Sequence, residues 1–303
     1  MAGTVLVLLL GALSGCSPSV QRLWPPADPR PTVRIDVPFI PQEAHQCGPA
    51  ALGMALAWSG MAVEPRVLAG EVYSPERKGS LQAAMVAGAR RHGRVAYPVA
   101  AADDLLAEVA AGHPVIVLLN LGLSWFPQWH YAVVVGYDRQ EEEIILHSGK
   151  TAFERLSFRT FGHLWSRSRD WGLLVLPPSR LPAQAREPEW LAAVAGLEQA
   201  GQAGAALTAY EAGLKKWPES FGLWMGLGNS RYTAGDLPGA AAAFRKAASL
   251  APESGMAFNN LAHVLHRLGQ RQEALAAARK AVAAGGPLLE TFRQTLSEIE
   301  QGP

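Results

Sequence analysis

Apolar residues recur at helical spacing between residues 47 and 111. This pattern predicts a helix that begins at Cys47 and further helices over residues 65–73, 80–92 and 102–111. Ser80 is placed as the N-cap of the third helix, and Gly93 is placed where that helix stops. The region before residue 112 is therefore predicted to be mainly helical.

The apolar pattern changes from helical to strand-like after residue 113. Short runs rich in Val, Ile and Leu, bounded by turn residues, cover residues 114–120, 130–137, 143–147 and 171–176. Residues 33–40 and 95–99 are two further predicted strands, and residues 158–167 are predicted to form one more helix. Asp138 fits a turn better than a catalytic role. Helices followed by an antiparallel sheet indicate an α+β domain over residues 35–178.

The last third of the chain repeats with a period of 34 residues. The repeated positions include Trp190, Trp224 and Phe258, and also Ala206, Ala240 and Ala274. Small residues at fixed offsets allow paired helices to approach each other closely. The middle unit, with Trp224, Leu227-Gly228, Ala240 and Pro252, resembles the tetratricopeptide repeat (TPR). We therefore predict an all-α domain of three TPR units and a capping helix over residues 188–300.

The N-terminal residues have the pattern of an export signal. Residues 1–16 contain no charged side chain, and their apolar run is too short to span a bilayer. The run ends at Leu13-Ser14-Gly15-Cys16, which resembles the bacterial lipobox. That resemblance implies that Cys16 is acylated and holds the protein at a membrane surface of the bacterial cell envelope. Ser17 after the cysteine implies the outer membrane, with the fold facing the periplasm.

Composition and charge narrow the possible functions. The 303 residues include 27 Lys and Arg against 26 Asp and Glu, and no long run has one sign. Nucleic-acid binding is therefore not indicated. Residues 17–34 and 179–187 are rich in Pro and lack apolar periodicity, which predicts a tether and a linker.

Cys47 lies in the segment Gln46-Cys47-Gly48-Pro49, directly before an Ala-rich apolar run. Because Pro is tolerated in the first helical turn, Cys47 is predicted at a helix N-terminus, where the helix dipole and free N–H groups lower the pKa of a thiol. If Cys16 is acylated, Cys47 has no disulfide partner in the chain. The alternatives are a disulfide between the two cysteines and an unreactive core cysteine. We interpret Cys47 as a nucleophile.

His130 begins the most apolar predicted strand. A buried imidazole is either a catalytic base or a polar group that needs another hydrogen bond. Residues 42–51 together with the His130 strand resemble the bacteriocin-processing, double-glycine family of papain-like cysteine peptidases, over residues 35–178. The resemblance implies Cys47 as nucleophile and His130 as general base and then acid. It also implies Gln42 as a side-chain donor to the oxyanion beside the backbone N–H of Cys47, with Gln46 a lesser candidate.

The third catalytic position departs from the pattern of that family. The family usually has an Asp after the strand that follows the histidine, whereas this strand ends His147-Ser148-Gly149-Lys150. Either Ser148 or His147 is therefore expected to fix the tautomer of His130 by a hydrogen bond. Loss of the carboxylate weakens the orientation of the imidazole without abolishing attack by an activated thiol.

Three other features of the sequence have alternative interpretations. The aromatic run over residues 124–129 either walls a substrate groove or packs a long loop onto the sheet. His263 and His266 lie three apart on a repeat helix without a further ligand, so no metal or cofactor is expected. Gly285-Gly286 is explained by a helix terminus.

Two functions follow from these patterns. The first is a lipid-anchored cysteine peptidase that cleaves a peptide or protein substrate in the envelope, while the concave face of the TPR domain binds a protein partner. The second is a catalytically degenerate scaffold. The presence of Gln42, Cys47 and His130 favours the enzyme, and the missing carboxylate favours the scaffold.

Overall fold

A computed structural model describes residues 30–43 and 45–302. Cys16, the predicted signal segment and most of the predicted tether lie outside the described residues. Among the helices of the described part, none is long and apolar enough to cross a membrane.

Four helices precede the central strands. They are α1 (Cys47–Trp58), α2 (Pro65–Val72), α3 (Gln82–Arg91) and α4 (Ala102–Ala110). Every residue from Gly48 to Leu56 in α1 is buried. Because small side chains occur on all faces of α1, neighbouring elements can pack around the whole helix.

The predicted cap of α3 is wrong. Ser80 belongs to the short strand β3 (Gly79–Ser80), which pairs with β2 (Tyr73–Ser74), and α3 begins after Leu81 without a side-chain cap. Pairing with Tyr73 holds Ser80 in an extended strand instead of at the helix end. The Ser80 hydroxyl oxygen is buried and makes no hydrogen bond within the described residues.

Seven strands form one antiparallel sheet. The strands are β1 (Thr32–Arg34), β4 (Val95–Val99), β5 (Val115–Asn120), β6 (Trp129–Asp138), β7 (Glu143–Ser148), β8 (Thr151–Ser157) and β9 (Gly172–Leu176). Their order is β4-β9-β5-β6-β7-β8, and β1 pairs with β6. The predicted α+β class is confirmed.

Two details of the sheet differ from the prediction. The strand expected over residues 33–40 is limited to β1. Strand β8 was not predicted, because it lies at the edge of the sheet, most of its residues are exposed, and polar residues interrupt any apolar run. The predicted helix after it is α5 (Phe158–Ser166).

The repeat domain is all-helical, as predicted. Its helices are α6 (Glu187–Gln199), α7 (Ala203–Lys216), α8 (Phe221–Thr233), α9 (Leu237–Leu250), α10 (Gly255–Arg267), α11 (Arg271–Ala284) and α12 (Leu289–Gln301). Trp190 is fully buried in the first unit. A methyl group on Gly213 would lie 2.5 Å from Trp190 Nε1. Glycine at this position therefore makes room for the indole ring.

Residues 179–187, expected to act as a linker, are docked on the N-terminal domain. Glu108 is only 1% exposed, and its carboxylate accepts hydrogen bonds from the backbone N–H groups of Ala183 (3.0 Å) and Gln184 (2.9 Å). The same carboxylate lies 2.7 Å from Nδ1 of His113. One hydrophobic core continues from the sheet into the first TPR unit. The two domains therefore pack against each other through a shared core, and the segment between them is bound to the N-terminal domain.

Candidate active site

A cavity of about 910 Å³ lies where the beginning of α1, the β2–β3 hairpin and the beginning of β6 meet. Gln42, Cys47 and His130 all line this cavity, although they are far apart in the sequence. Gln46 precedes α1 as its N-cap residue and does not line the cavity. The fold therefore brings three of the predicted site residues to one concave surface.

Cys47 is the first residue of α1, as the sequence predicts. Burial raises the pKa of the Cys47 thiol, while hydrogen bonds from the backbone N–H groups of Tyr131, Gly48 and Cys47 itself lower that pKa. Burial is the largest of these effects, so the predicted net lowering of the pKa is wrong. The free protein therefore holds a protonated thiol at neutral pH.

His130 lies near the start of β6 and is partly buried. Its Nε2 is 3.0 Å from Oγ of Ser148, which ends the neighbouring strand β7. Burial lowers the pKa of the His130 imidazole, and the negative charge of Glu154 raises it by less. His130 is therefore neutral at neutral pH and able to accept a proton, and it lines the same cavity as Cys47.

His147, the other candidate for the position behind His130, lies in the core. Its ring is fully buried, Nε2 is 3.0 Å from the carbonyl oxygen of Val37, and Nδ1 accepts a hydrogen bond from the backbone N–H of Phe153 (3.2 Å). Successive residues of a strand point to opposite faces of the sheet. His147 therefore faces away from the side on which Ser148 meets His130.

The position of Gln42 is fixed by its backbone. The Gln42 N–H donates a hydrogen bond to the carbonyl oxygen of Gly149 at 3.1 Å, in the turn that follows Ser148. The Gln42 side chain lines the same cavity as Cys47. Gln42 and Cys47 thus border the same space.

Comparison with known proteins assigns both domains. Residues 34–166 match a family model described as the Peptidase_C39 like family, and residues 191–255 and 229–288 match a tetratricopeptide repeat model. The chain contains a C39-like peptidase domain and TPR repeats. The recognition made from the Cys47 and His130 segments and from the period of 34 is confirmed at the level of these domains.

Several solved structures are similar to parts of the chain. A protein from Bacillus anthracis described as a C39-like peptidase has 17% identity and a TM-score of 0.41, and the match covers 48% of this chain and 97% of that one. A double glycine motif protease from an AMS/PCAT transporter has 21% identity and a TM-score of 0.38, covering 47% and 93%. The Thermobaculum terrenum O-GlcNAc transferase has 22% identity and a TM-score of 0.33, and the match covers 35% of this chain and 20% of that one. No curated protein sequence matched the chain.

The aromatic run at the mouth of the C39-like domain is largely exposed. The side chains of Trp125, Phe126 and Trp129 are 80%, 63% and 53% exposed, so this run does not pack onto the sheet. The loop is nevertheless held in place, because Asn120 Oδ1 accepts hydrogen bonds from two of its backbone N–H groups. Trp129 also lines the cavity. Pro127 also lines it, whereas Trp125 and Phe126 do not, so only the end of the run nearest His130 forms a wall of the cavity.

Several residues at the C39-like site were not predicted from the sequence. Tyr131 donates a hydrogen bond from its hydroxyl to the backbone oxygen of Ser80 at 3.2 Å, which joins β6 to the β2–β3 hairpin beside Cys47. Four cationic side chains also line the cavity: Arg77, Lys78, Arg167 and Arg169. No local signal marks these residues, because acidic residues occur beside them in the sequence and hide their common sign.

Two other sequence features have structural explanations outside the site. His263 Nε2 is 3.0 Å from the Tyr232 hydroxyl, between neighbouring repeat helices. Gly285 has a φ of 67° at the end of α11. A helix terminus explains this glycine, as predicted.

Gly48 is expected to tolerate no side chain. A methyl group at this position would lie 2.3 Å from Ser80 Oγ and 2.5 Å from Ser80 Cβ. We expect Gly48→Ala to destabilise the protein by about 1–3 kcal/mol through overpacking, and to slow alkylation of Cys47 by displacing the start of α1. Thermal melting and the rate of iodoacetamide labelling measure the two effects.

Matched variants separate this clash from a general effect on helices. Gly70→Ala in α2 meets no atom within 4 Å and should leave both measurements unchanged or slightly improve stability. Adding Ser80→Gly to Gly48→Ala should restore much of the loss, because it removes the atoms that clash. If Gly48→Ala and Gly70→Ala had the same melting temperature and the same labelling rate, the close contact between Gly48 and Ser80 would be contradicted.

Proposed function

We propose that this protein is a cysteine peptidase of the double-glycine peptidase type, held at a membrane of the bacterial envelope, with TPR repeats that bind a protein partner. The observation that carries the proposal is the convergence of Cys47, His130 and Gln42 on one cavity, with Ser148 hydrogen-bonded behind the imidazole. These are the groups that nucleophilic acyl transfer requires.

The proposed reaction begins with a neutral pair. Because Nε2 of His130 is engaged by Ser148, Nδ1 is the nitrogen available to the thiol. Nδ1 takes the proton of Cys47 as the sulfur attacks the carbonyl carbon of the scissile peptide bond. The tetrahedral intermediate collapses, the C–N bond breaks, and His130 returns the proton to the leaving amine. A thioester on Cys47 remains, and a water molecule activated by His130 hydrolyses it.

Charge on the substrate oxygen needs donors that are already in place. We assign this role to the Gln42 side-chain amide and the backbone N–H of Cys47 at the start of α1. Loss of a single donor of this kind typically lowers kcat by about 10² to 10³. The helix dipole at the start of α1 adds a favourable field for the developing negative charge.

The peptidase proposal is tested against the scaffold alternative by incubation with a proteome-derived peptide library and mass spectrometry of the products. Wild-type protein is expected to generate new peptide termini, and Cys47→Ala is expected to generate none, because no other thiol is present in residues 17–303. Identical products, or none, from both proteins would support the scaffold.

Membrane anchoring through lipid on Cys16 is a second, separate part of the proposal. It rests on the Leu13-Ser14-Gly15-Cys16 segment. We expect Cys16→Ser to move most of the protein from the membrane fraction to the soluble envelope fraction, because the acyl chains supply the membrane affinity. Cys47→Ala is the matched cysteine control and should stay in the membrane fraction. Unchanged fractionation of Cys16→Ser would rule out lipid as the main anchor.

The TPR helices provide a surface for a protein partner. In a TPR stack the first helix of each unit lines the concave face, which here corresponds to α6, α8 and α10. Because α6 shares a core with the C39-like domain, a protein bound on this face is held at a constant distance from Cys47. We propose that the repeats deliver substrate or attach the enzyme to an envelope complex.

A further inference from the structure

The cavity at Cys47 has a strongly asymmetric charge. Arg77 and Lys78 enter it from the turn of the β2–β3 hairpin, and Arg167 and Arg169 enter it from the segment after α5. Within the described residues, no Asp or Glu lines the cavity. Four cations thus line the cavity that contains Cys47, in a chain whose overall net charge is only +1.

These cations are not neutralised by the fold. None of the four makes an ion pair with the described part of the chain. Arg167 instead donates to the carbonyl oxygen of Gly122 at 2.6 Å, which ties it to the aromatic loop. Like charges gathered in a cleft repel one another and attract an anionic ligand. Their free energy is therefore lowest when a ligand brings negative charge.

The four cations form the rim of the cavity. The backbone at two of them, and at one neighbouring cavity residue, is held in unfavourable conformations. Lys78 and Arg169 have φ values of 48° and 59°, and His45, which also lines the cavity, has a φ of 62°. Non-glycine residues are strained in this region of φ and persist there only where the surrounding structure holds them. The positions of these side chains are therefore imposed by their loops.

We infer that the cleft selects peptides with acidic side chains close to the scissile bond, and that Arg77, Lys78, Arg167 and Arg169 determine this specificity. The inference rests on the proposed peptidase function and adds the chemical class of its substrate. The exposed Trp129 ring beside the cations supplies an apolar wall for the residues between the charges. A peptide fits this combination better than a nucleic acid, because the overall charge is nearly neutral.

Binding to the Cys47→Ala variant tests the inference without turnover. Two pools of dodecapeptides, randomised over Gly, Ala, Ser and Leu and labelled with a neutral dye, carry either two central Glu or two central Gln residues. Fluorescence anisotropy should give at least about fivefold tighter binding for the Glu pool at low salt, and that preference should shrink as salt is raised.

The decisive variants remove charge at the rim. Adding Lys78→Gln and Arg169→Gln should weaken the preference for the Glu pool, because two of the four cations are lost. Adding Arg159→Gln, an exposed cation of α5 outside the cavity, should preserve it. Circular dichroism checks that all variants fold.

Three results would overturn the inference: equal affinity for the two pools, a preference that Lys78→Gln with Arg169→Gln leaves unchanged, or tighter binding of a twelve-residue oligothymidine than of the Glu pool. Failure of the wild-type protein to cleave either pool or the proteome library would count against the peptidase. A binding preference that depends on the rim would still stand in that case.

Discussion

Replacement of His130 by alanine is expected to lower kcat/KM by about 10³-fold, measured on a peptide that wild-type protein cleaves in the library experiment. The burial of Cys47 raises its thiol pKa, so the sulfur is protonated before attack. A protonated thiol needs a base at the moment of reaction, and His130 lies on the same cavity. The loss should fall mainly on kcat.

The dependence of kcat/KM on pH reports on the same imidazole. Burial lowers the pKa of His130, so the base stays neutral to a lower pH than an ordinary histidine. Activity should therefore be retained as the pH falls through about 6.5, the ordinary imidazole value, and should be lost only below it. On the alkaline side, the raised pKa of Cys47 should leave a broad plateau through neutral pH.

Ser148→Ala and Thr151→Ala are a matched pair of variants that tests how the His130 imidazole is oriented. Ser148 holds Nε2 of His130, whereas Thr151 is its exposed partner across the β7–β8 ladder. Ser148→Ala should lower kcat/KM by about tenfold through loss of imidazole orientation, and Thr151→Ala should leave it unchanged. Retention of full activity by His130→Ala would remove this histidine from the mechanism.

Replacement of Glu108 by alanine is expected to cause the largest loss of stability, about 3–5 kcal/mol. The carboxylate is buried and holds three groups, namely His113 and the backbone N–H groups of Ala183 and Gln184. Its removal leaves the ring nitrogen of the buried His113 without this partner, which costs more than that hydrogen bond itself contributes. It also breaks the two hydrogen bonds that hold the exposed residues Ala183 and Gln184 on the domain. The segment over residues 179–187 should then detach from the C39-like domain.

Calorimetry and limited proteolysis measure this detachment. The melting temperature should fall by about 6–20 °C, since about 2–4 °C corresponds to each kcal/mol in a chain of this size. Protease cleavage should appear within residues 179–187. Asp103→Ala, an exposed carboxylate of the same helix, should cost less than about 1 kcal/mol. Equal melting of the two variants would show that Glu108 does not couple the domains.

The position of Cys47 illustrates what was predictable. Its place at the start of a buried helix follows from Gly48-Pro49 and the small apolar residues after them, which act locally. The pKa of its thiol was not predictable, because burial depends on distant elements and Tyr131 comes from a strand far along the chain. The sequence was therefore sufficient to locate the sulfur and insufficient to give its ionisation state.

The choice between His147 and Ser148 depended on tertiary structure for a different reason. Both side chains can hydrogen-bond an imidazole, and they are adjacent in the sequence. Only the pairing of β7 with β6 decides which of them faces His130, because the two point to opposite sides of the sheet. When two neighbouring strand residues are both polar, the sequence pattern alone does not show which of them faces which side of the sheet.

By itself the sequence determined the α+β class, the helical repeats of 34 residues and the segments that carry the nucleophile and the base. These features arise from periodicity and turn chemistry, which act over a few residues or repeat at fixed intervals. Tertiary structure alone decided that Ser148 lies behind His130, that four cations share the cleft, and that Glu108 binds residues 183 and 184. Each of these joins residues distant in the chain, and their distances are set only when the sheet and helices pack.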